Sequence, residues 1–390
     1  MATLDVLHVC FGGLGGHMAV INTLTKELAP RGITSGVVAV GSEDVLITSE
    51  QAWPDVDLLE LVILKGRGDL SSMVHAFGLA RTVRARVVLV HTHRHATPIA
   101  LGRFASGQPL KLVTIEHHSL NLRSASDNVN SFSSLLWSRA VVFLTEEYGK
   151  RYPLRRFKLP GLSLRAVIAN GTNLTAFESI HQPLYEATRA PVFGMAARLV
   201  PGKDVDTLLE AMAILICGGD QPHPQLRLAG DGPERQRLEK RVSELGLGQA
   251  VSFVGRIPEN QMRDFLGDLD VYVLSTLAET LNTSLLQAAA SRVPIVATRV
   301  EGVADIFTDQ LDALLVDRQD PQSLAAALSA ASDPVTATRL SAAGYQLVST
   351  RYSSVTMALS YLKLLARIDP SGPWEAARAT VKDVSPPDPI

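Results

Sequence analysis

Glu279 is an isolated carboxylate at the head of the run AETLNTSLLQAAASRVPIVATRVEG, residues 278–302, and a short polar turn, Thr280 to Ser284, follows it. A mostly apolar stretch, Leu285 to Ala290, then leads to Pro294 and a β-branched segment, so the run reads as loop, helix, strand. The first N–H groups of a helix have no intrahelical partner, and its dipole favours negative charge there. A phosphate suits that terminus. An ionised carboxylate beside it can only accept hydrogen bonds, and phosphate oxygens offer it none, so the ligand must also carry hydroxyl groups. Together these groups suggest a sugar attached to a phosphate.

A second pair points to the same chemistry. Arg198 closes the strand-like APVFGMAARLV, and Lys203 lies five residues on, in the turn Pro201-Gly202-Lys203-Asp204. A planar guanidinium and a compact ammonium on one loop can converge on one diphosphate. The alternative is an ion pair from Lys203 to Asp204 or Asp206. Near the N-terminus, LDVLHVCF runs into Gly12-Gly13-Leu14-Gly15-Gly16 and then a helical pattern from His17 to Leu28. Glycine permits close backbone approach to a ligand, but the spacing is not G-x-G-x-x-G, and a flexible strand-to-helix turn reads equally well.

Five of the ten histidines stand at expected strand ends: His91, His93, His95, His117 and His118. H-x-H-x-H in extended chain does not match the usual zinc-ligand patterns, and no cysteine or clear carboxylate completes it, so no metal site is expected. Hydrogen bonding to a polar ligand suits His117, with Glu116 as a partner for an imidazole; a loop histidine capping its own strand is the alternative.

The elements that must hold these groups alternate between strand and helix. Strand candidates at 4–11, 60–64, 86–91, 110–116 and 139–145, with SGVVAVG, fill the first half, and the alternation restarts at Ala190 and continues through strand-then-turn segments at 225–233 and 250–258 and strands at 270–276, 294–302 and 312–317. Such alternation predicts parallel sheets covered on both faces, with ligands at the carboxyl ends of the strands. At 390 residues two domains are expected. We place them at 1–178 and 179–365, facing a cleft, with 366–390 a loose proline-rich tail.

Charged residues make up 19% and hydrophobic residues 46%, with a formal charge of −2, which excludes a nucleic-acid-binding or disordered chain. Any anion site is therefore local. Cys10 and Cys217 are too far apart for a disulfide framework and read as buried thiols in a reducing compartment. No basic segment leading into a long apolar one opens the chain, so a cytoplasmic protein is expected. Residues 149–161 carry Lys150, Arg151, Arg155, Arg156 and Lys158 among Tyr152, Leu154, Phe157 and Leu159. They are either a solvated loop or a peripheral contact with the inner face of an anionic membrane.

AARLVPGKD, LAGDGPER, VSFVGRIP and STLAETLNTSLLQAAASRVPIVATRVEG follow one another in order. In this series the chain resembles the retaining, metal-independent glycosyltransferases of family 4, which have the GT-B fold of two Rossmann-like domains. The resemblance reaches to about residue 365. It implies that Arg198 and Lys203 bind the diphosphate of a nucleotide-sugar donor, with UDP favoured as the commonest, and that Glu279 binds hydroxyls of the transferred sugar. The amides of Thr280, Leu281 and Asn282 would approach sugar and phosphate, and Gly255, Arg256 and Ile257 would meet the base. Gly13, Gly15 and Gly16 match the glycine loop near the reaction centre, and His117 matches a histidine that contacts the donor sugar.

One position departs from the pattern. The second Glu of the family's E-x7-E motif, a ribose ligand, is Gln287 here. Its amide can bond both ribose hydroxyls, or it can turn back to the helix start in a capping box with Ser284. The resemblance implies transfer of a hexosyl group to a hydroxyl acceptor, without a metal. An epimerase or pseudo-glycosyltransferase, or a nucleotide-sugar-binding protein without turnover, are the other classes. The loops 43–58, 91–98 and 119–135 are expected to shape the acceptor side.

Overall fold

The computed structural model describes residues 3–11, 16–42, 58–64, 69–91, 93–117, 125–152, 164–177, 189–218 and 223–379. The chain divides into two compact units, one of residues 1–171 with 354–390 and the other of residues 172–353.

In the first unit the apolar runs form strands β1 (Leu4–Phe11), β2 (Ser35–Ser42), β3 (Leu58–Leu64), β4 (Ala85–Val90), β5 (Leu112–Glu116), β6 (Ala140–Phe143) and β7 (Leu164–Val167). Between them lie helices α1 (Gly16–Leu28), α2 (Asp69–Thr82), α3 (His93–Ala105), α4 (Ala125–Trp137) and α5 (Glu146–Arg151). The sheet order is β3-β2-β1-β4-β5-β6-β7, and every pairing is parallel. Val87 to Val90 and Val141 to Val142 are fully buried because helices cover both faces, which is why these strands are continuous apolar runs rather than alternating ones. The order reverses between β1 and β4, a topological switch point.

The second unit repeats the plan. Strands β8 (Val192–Ala196), β9 (Gln225–Ala229), β10 (Val251–Gly255), β11 (Val271–Leu274), β12 (Ile295–Thr298) and β13 (Leu314–Val316) stand in the parallel order β10-β9-β8-β11-β12-β13. Its helices are α6 (Val205–Gly218), α7 (Arg235–Glu244), α8 (Met262–Gly267), α9 (Thr283–Ala290), α10 (Glu301–Ala304), α11 (Pro321–Ala331) and α12 (Pro334–Arg351). Here the switch point falls between β8 and β11.

The expected boundaries need correction. After α12 the chain returns to the first unit as α13 (Ser354–Ile368) and α14 (Trp374–Ala379). The apolar face of α13, including Met357, Tyr361, Leu362 and Leu365, is buried, and Ser354 Oγ donates to Glu27 of α1 at 2.7 Å. Part of the expected tail is equally fixed. Asp369 is fully buried and accepts from Arg86 Nε (2.9 Å) and Lys111 Nζ (2.7 Å), and Trp374 is fully buried with its Nε1–H on Asp369 O (2.9 Å). The helical period of 354–368 did not show which unit its apolar stripe would cover. Residues 380–390 lie outside the described residues.

Two smaller expectations also change. Cys10 is buried, and burial pushes its thiol up to about 12, but Cys217 near the end of α6 is exposed. Of the basic stretch 149–161, Lys150 pairs with Glu146 and Glu147 and Tyr152 is buried, while residues 153–161 lie outside the described residues.

Candidate functional site

Lys203 and Glu279 come from the two loops at the switch point of the second unit, after β8 and after β11. Three hydrogen bonds clip those loops together. Leu277 N–H and Thr276 Oγ1 both donate to Gly202 O (2.9 and 3.0 Å), and Ser275 Oγ donates to Asp204 O (2.8 Å). Asp204 takes a left-handed backbone, φ 42°, which turns the chain from Lys203 into α6. Its carboxylate accepts from Thr207 Oγ1 at 2.9 Å, and burial raises its pKa. Neither expected alternative for Lys203 is formed: Asp206 pairs with Arg237, and Lys203 Nζ pairs with Glu279.

Glu279 is held from three sides. Besides Lys203, Asn282 Nδ2 donates to its Oε2 (2.9 Å), and its backbone carbonyl accepts from Gly302 N–H (3.2 Å). Burial alone would raise the carboxyl, but Lys203 and the Asn282 amide outweigh it, and the pKa lies below the ordinary value. Gly302 is required because a Cβ there would run into the carbonyls of Thr280 and Glu279.

Asn282 also caps α9. Its Oδ1 accepts from Leu285 N–H at 3.1 Å, so one side chain both orients Glu279 and fixes the helix terminus beside it. Thr280 and Leu281 are buried in the connecting turn. Thr283 Oγ1, in the first turn of α9, is buried without a hydrogen-bond partner among the described residues.

The remaining predicted residues of this unit lie on neighbouring loops. Arg198 is exposed just beyond β8, and among the described residues its guanidinium has no ion-pair partner. Gly255 ends β10 at φ 82° and its carbonyl accepts from Gly230 N–H at 2.6 Å, while Arg256 is exposed and Ile257 half-buried.

Gln287 is 5% exposed and does not cap its helix. Asn282 occupies the cap, Ser284 Oγ donates instead to Ala196 O (3.1 Å), and Gln287 Nε2 donates to Glu259 Oε1 at 2.6 Å. The capping-box alternative is thereby overturned. Glu259 begins the turn Glu259–Gln261 after Pro258 and carried no mark in the sequence, because its partner stands 28 residues later.

In the first unit, Gly13 and Gly15 lie outside the described residues, and Gly16 begins α1. His117 directly follows β5, and its Nε2 lies 3.1 Å from Nδ1 of His91, with the rings stacked. His93 and His95 do not continue an extended H-x-H-x-H. They open α3 instead, with His93 Nδ1 3.8 Å from the buried Glu116 carboxylate. Glu116 also accepts from Tyr152 Oη (3.2 Å), so the imidazole placed beside it is that of His93. Among the described residues no three histidine, cysteine or acidic side chains are grouped to hold a metal ion. Residues 93–98 and 125–135 are helix, not loop, and 43–57 lie outside the described residues.

The family described as glycosyl transferases group 1 matches residues 176–347. Over 178 residues the chain is 35% identical to the lipopolysaccharide core biosynthesis glycosyltransferase LpsE of Rhizobium meliloti; the match covers 45% of this chain and about half, 50%, of that relative. It is 30% identical over 373 residues to the 2-deoxystreptamine N-acetyl-D-glucosaminyltransferase of Streptomyces fradiae, with 84% of each covered. Among solved structures, HepE of Anabaena, in complex with UDP and glucose, superposes with a TM-score of 0.77 at 17% identity over 93% of this chain and 100% of that one. Sucrose-phosphate synthase of Thermosynechococcus elongatus gives 0.75 at 20% identity, over 94% and 100%. Both share the GT-B fold. With the likeness to the Streptomyces fradiae enzyme over 84% of both chains added to the match over the unit that holds Lys203, Glu279 and α9, the chain belongs to the group 1 glycosyl transferases.

Proposed function

We propose that this protein transfers a hexosyl group from a nucleoside diphosphate sugar, UDP-linked, to a hydroxyl acceptor, with retention at the anomeric carbon and without a metal. One observation carries the reading: Lys203, Glu279 and the Asn282-capped terminus of α9 form a single cluster at the switch point of the second unit. Without donor, Lys203 and Glu279 satisfy one another. A donor brings phosphate oxygens for Lys203 and hydroxyl hydrogens for Glu279, so both groups exchange partners and no charge is stranded. The buried Thr283 hydroxyl and the α9 terminus then meet the diphosphate.

As the glycosidic bond breaks, negative charge grows on the β-phosphate. Lys203, Arg198 and the helix terminus stabilise it, the electrostatic term expected to dominate. The acceptor hydroxyl attacks from the side of the departing phosphate, which takes its proton. His117 hydrogen-bonds the transferred sugar, the glycine turn near Gly16 approaches the reacting groups, and the Gly255–Ile257 backbone meets the base. UDP is supported by the nucleotide seen with HepE, and a glycan or natural-product acceptor by the names of the relatives. We place the reaction in the cytoplasm.

The test is a thermal-shift panel of UDP, GDP, ADP and their sugars, then UDP release with and without acceptor. A ligand at 100 times its Kd adds about 2.7 kcal/mol of stability. Retention is read from the anomeric configuration of the product, and metal independence from activity in chelator. Near-normal turnover by Lys203→Ala would refute the assignment, and isomerisation of the sugar without acceptor would point to an epimerase.

A further inference from the structure

We infer that His8 and His91 are positioning residues that fix the tautomer of His117, so that its Nδ1 carries the hydrogen and acts as a donor. Three imidazoles stand in line. His8 Nδ1 lies 3.1 Å from His91 Nε2, His91 Nδ1 lies 3.1 Å from His117 Nε2, and each pair of rings is stacked with centroids 5.4 Å apart. His8 sits inside β1, fully buried, and His91 is held beside that strand by its N–H on Val9 O (2.8 Å). His117 follows β5, and the His17 ring lies 6.4 Å from its own, tilted by 55°.

A neutral imidazole has one N–H and one lone pair, and each nitrogen-to-nitrogen contact needs one hydrogen. Two assignments alone satisfy both contacts. Either all three rings carry the hydrogen on Nδ1, or all three carry it on Nε2. The second leaves an N–H at Nε2 of His8, a buried atom without a partner among the described residues; the first leaves only a lone pair there. An orphaned buried N–H is the rarer of the two defects, so the hydrogens point outward along the line. Burial supports this by keeping the inner rings neutral, with His8 pushed down to about 3 and His91 well below its ordinary value.

The consequence for His117 is specific. Its Nε2 is committed as an acceptor to His91, and Nδ1 already holds a hydrogen. To take up a proton it would have to give Nε2 a hydrogen, which reverses both inner rings and strands an N–H inside the sheet. His117 is therefore a fixed donor and not a general base, suited to the oxygen of a sugar hydroxyl or phosphate. Only that choice of ligand rests on the proposed function.

The test uses the full chain labelled with [15N]histidine, without ligand, and long-range 15N–1H correlation at neutral pH. The wild type should show His117 as a single tautomer, with a pyrrole-type resonance at Nδ1 and a pyridine-type one at Nε2. In His91→Phe the two His117 shifts should converge towards the values of mixed tautomers. Hydrogen on Nε2 of His117 in the wild type, or His117 shifts unmoved by His91→Phe, would overturn the inference. The wild-type spectrum decides even if the variant fails to fold. No donor is present, so the result stands apart from any outcome with nucleotide sugars.

Discussion

Gln287 Nε2 donates to Glu259 Oε1 at 2.6 Å, an arrangement that two carboxylates could not share. A glutamate at 287 would put like charges within hydrogen-bonding distance, and one of the two would have to stay protonated. Gln287→Glu should therefore destabilise the second unit by about 1 kcal/mol at neutral pH, the scale of one lost hydrogen bond to a charged group discounted for the exposure of Glu259. Combining it with Glu259→Gln should restore most of the loss. Urea unfolding of the four proteins forms the cycle, and strictly additive effects would mean that the two side chains are not coupled.

Lys203→Met removes the cation from a largely buried carboxylate. We expect a loss of about 2 kcal/mol at pH 7 and at least tenfold weaker UDP binding by calorimetry. The folded-state pKa of Glu279 is lowered, so the stability its partners contribute is fully present above its unfolded value, about 4.5, and lost as pH falls through the lower folded one. Wild type and Lys203→Met should therefore converge in unfolding free energy on acidification.

Gly302→Ala places a methyl group against the carbonyls of Thr280 and Glu279 and must push the 278–282 turn outward. Overpacking of this kind costs about 1–3 kcal/mol. UDP affinity should fall together with the melting temperature, since the displaced turn carries Glu279. A variant that melts early but binds UDP normally would separate the turn from the site.

Arg198→Ala should behave differently. The side chain is exposed and makes no ion pair among the described residues, so stability should change by less than about 0.5 kcal/mol while turnover falls at least tenfold. Matched melting curves and UDP-release rates test the pair of outcomes.

Asp369→Asn should loosen α13 and α14 from the first unit. Burial works to raise this carboxyl, but Lys111, Ser371 and Arg86 outweigh it and hold it down to about 2. A loss of about 2 kcal/mol is expected at pH 7, less than for a fully buried pair because Arg86 and Lys111 are part-exposed. The contribution is complete above the unfolded pKa, about 4, and disappears as pH falls through about 2. Amide exchange in 354–379 should accelerate in the variant at neutral pH.

What the sequence determined by itself was the repeated strand–helix alternation, and with it two parallel sheets and the loops at their carboxyl ends. That information is local: a β-branched run buried on both faces, a glycine turn and a helical period each lie within one short window. Arg198, Lys203 and Glu279 were legible as candidates for the same reason, since each stands a few residues beyond a readable strand, whereas the cap at Asn282 was not, because Ser284 and Gln287 offered the same local pattern. The tertiary structure decided the pairings between windows. Lys203 could meet Asp204, Asp206 or Glu279, and only the adjacency of β8 and β11 selects the last. Gln287 finds Glu259 because the loop after β10 and helix α9 converge there. His8 joins His91 and His117 because β1, β4 and β5 are neighbours in the sheet, and α13 crosses back because its apolar stripe fits α1. Each of these contacts joins residues far apart in the chain, and proximity of that kind has no period or spacing to announce it.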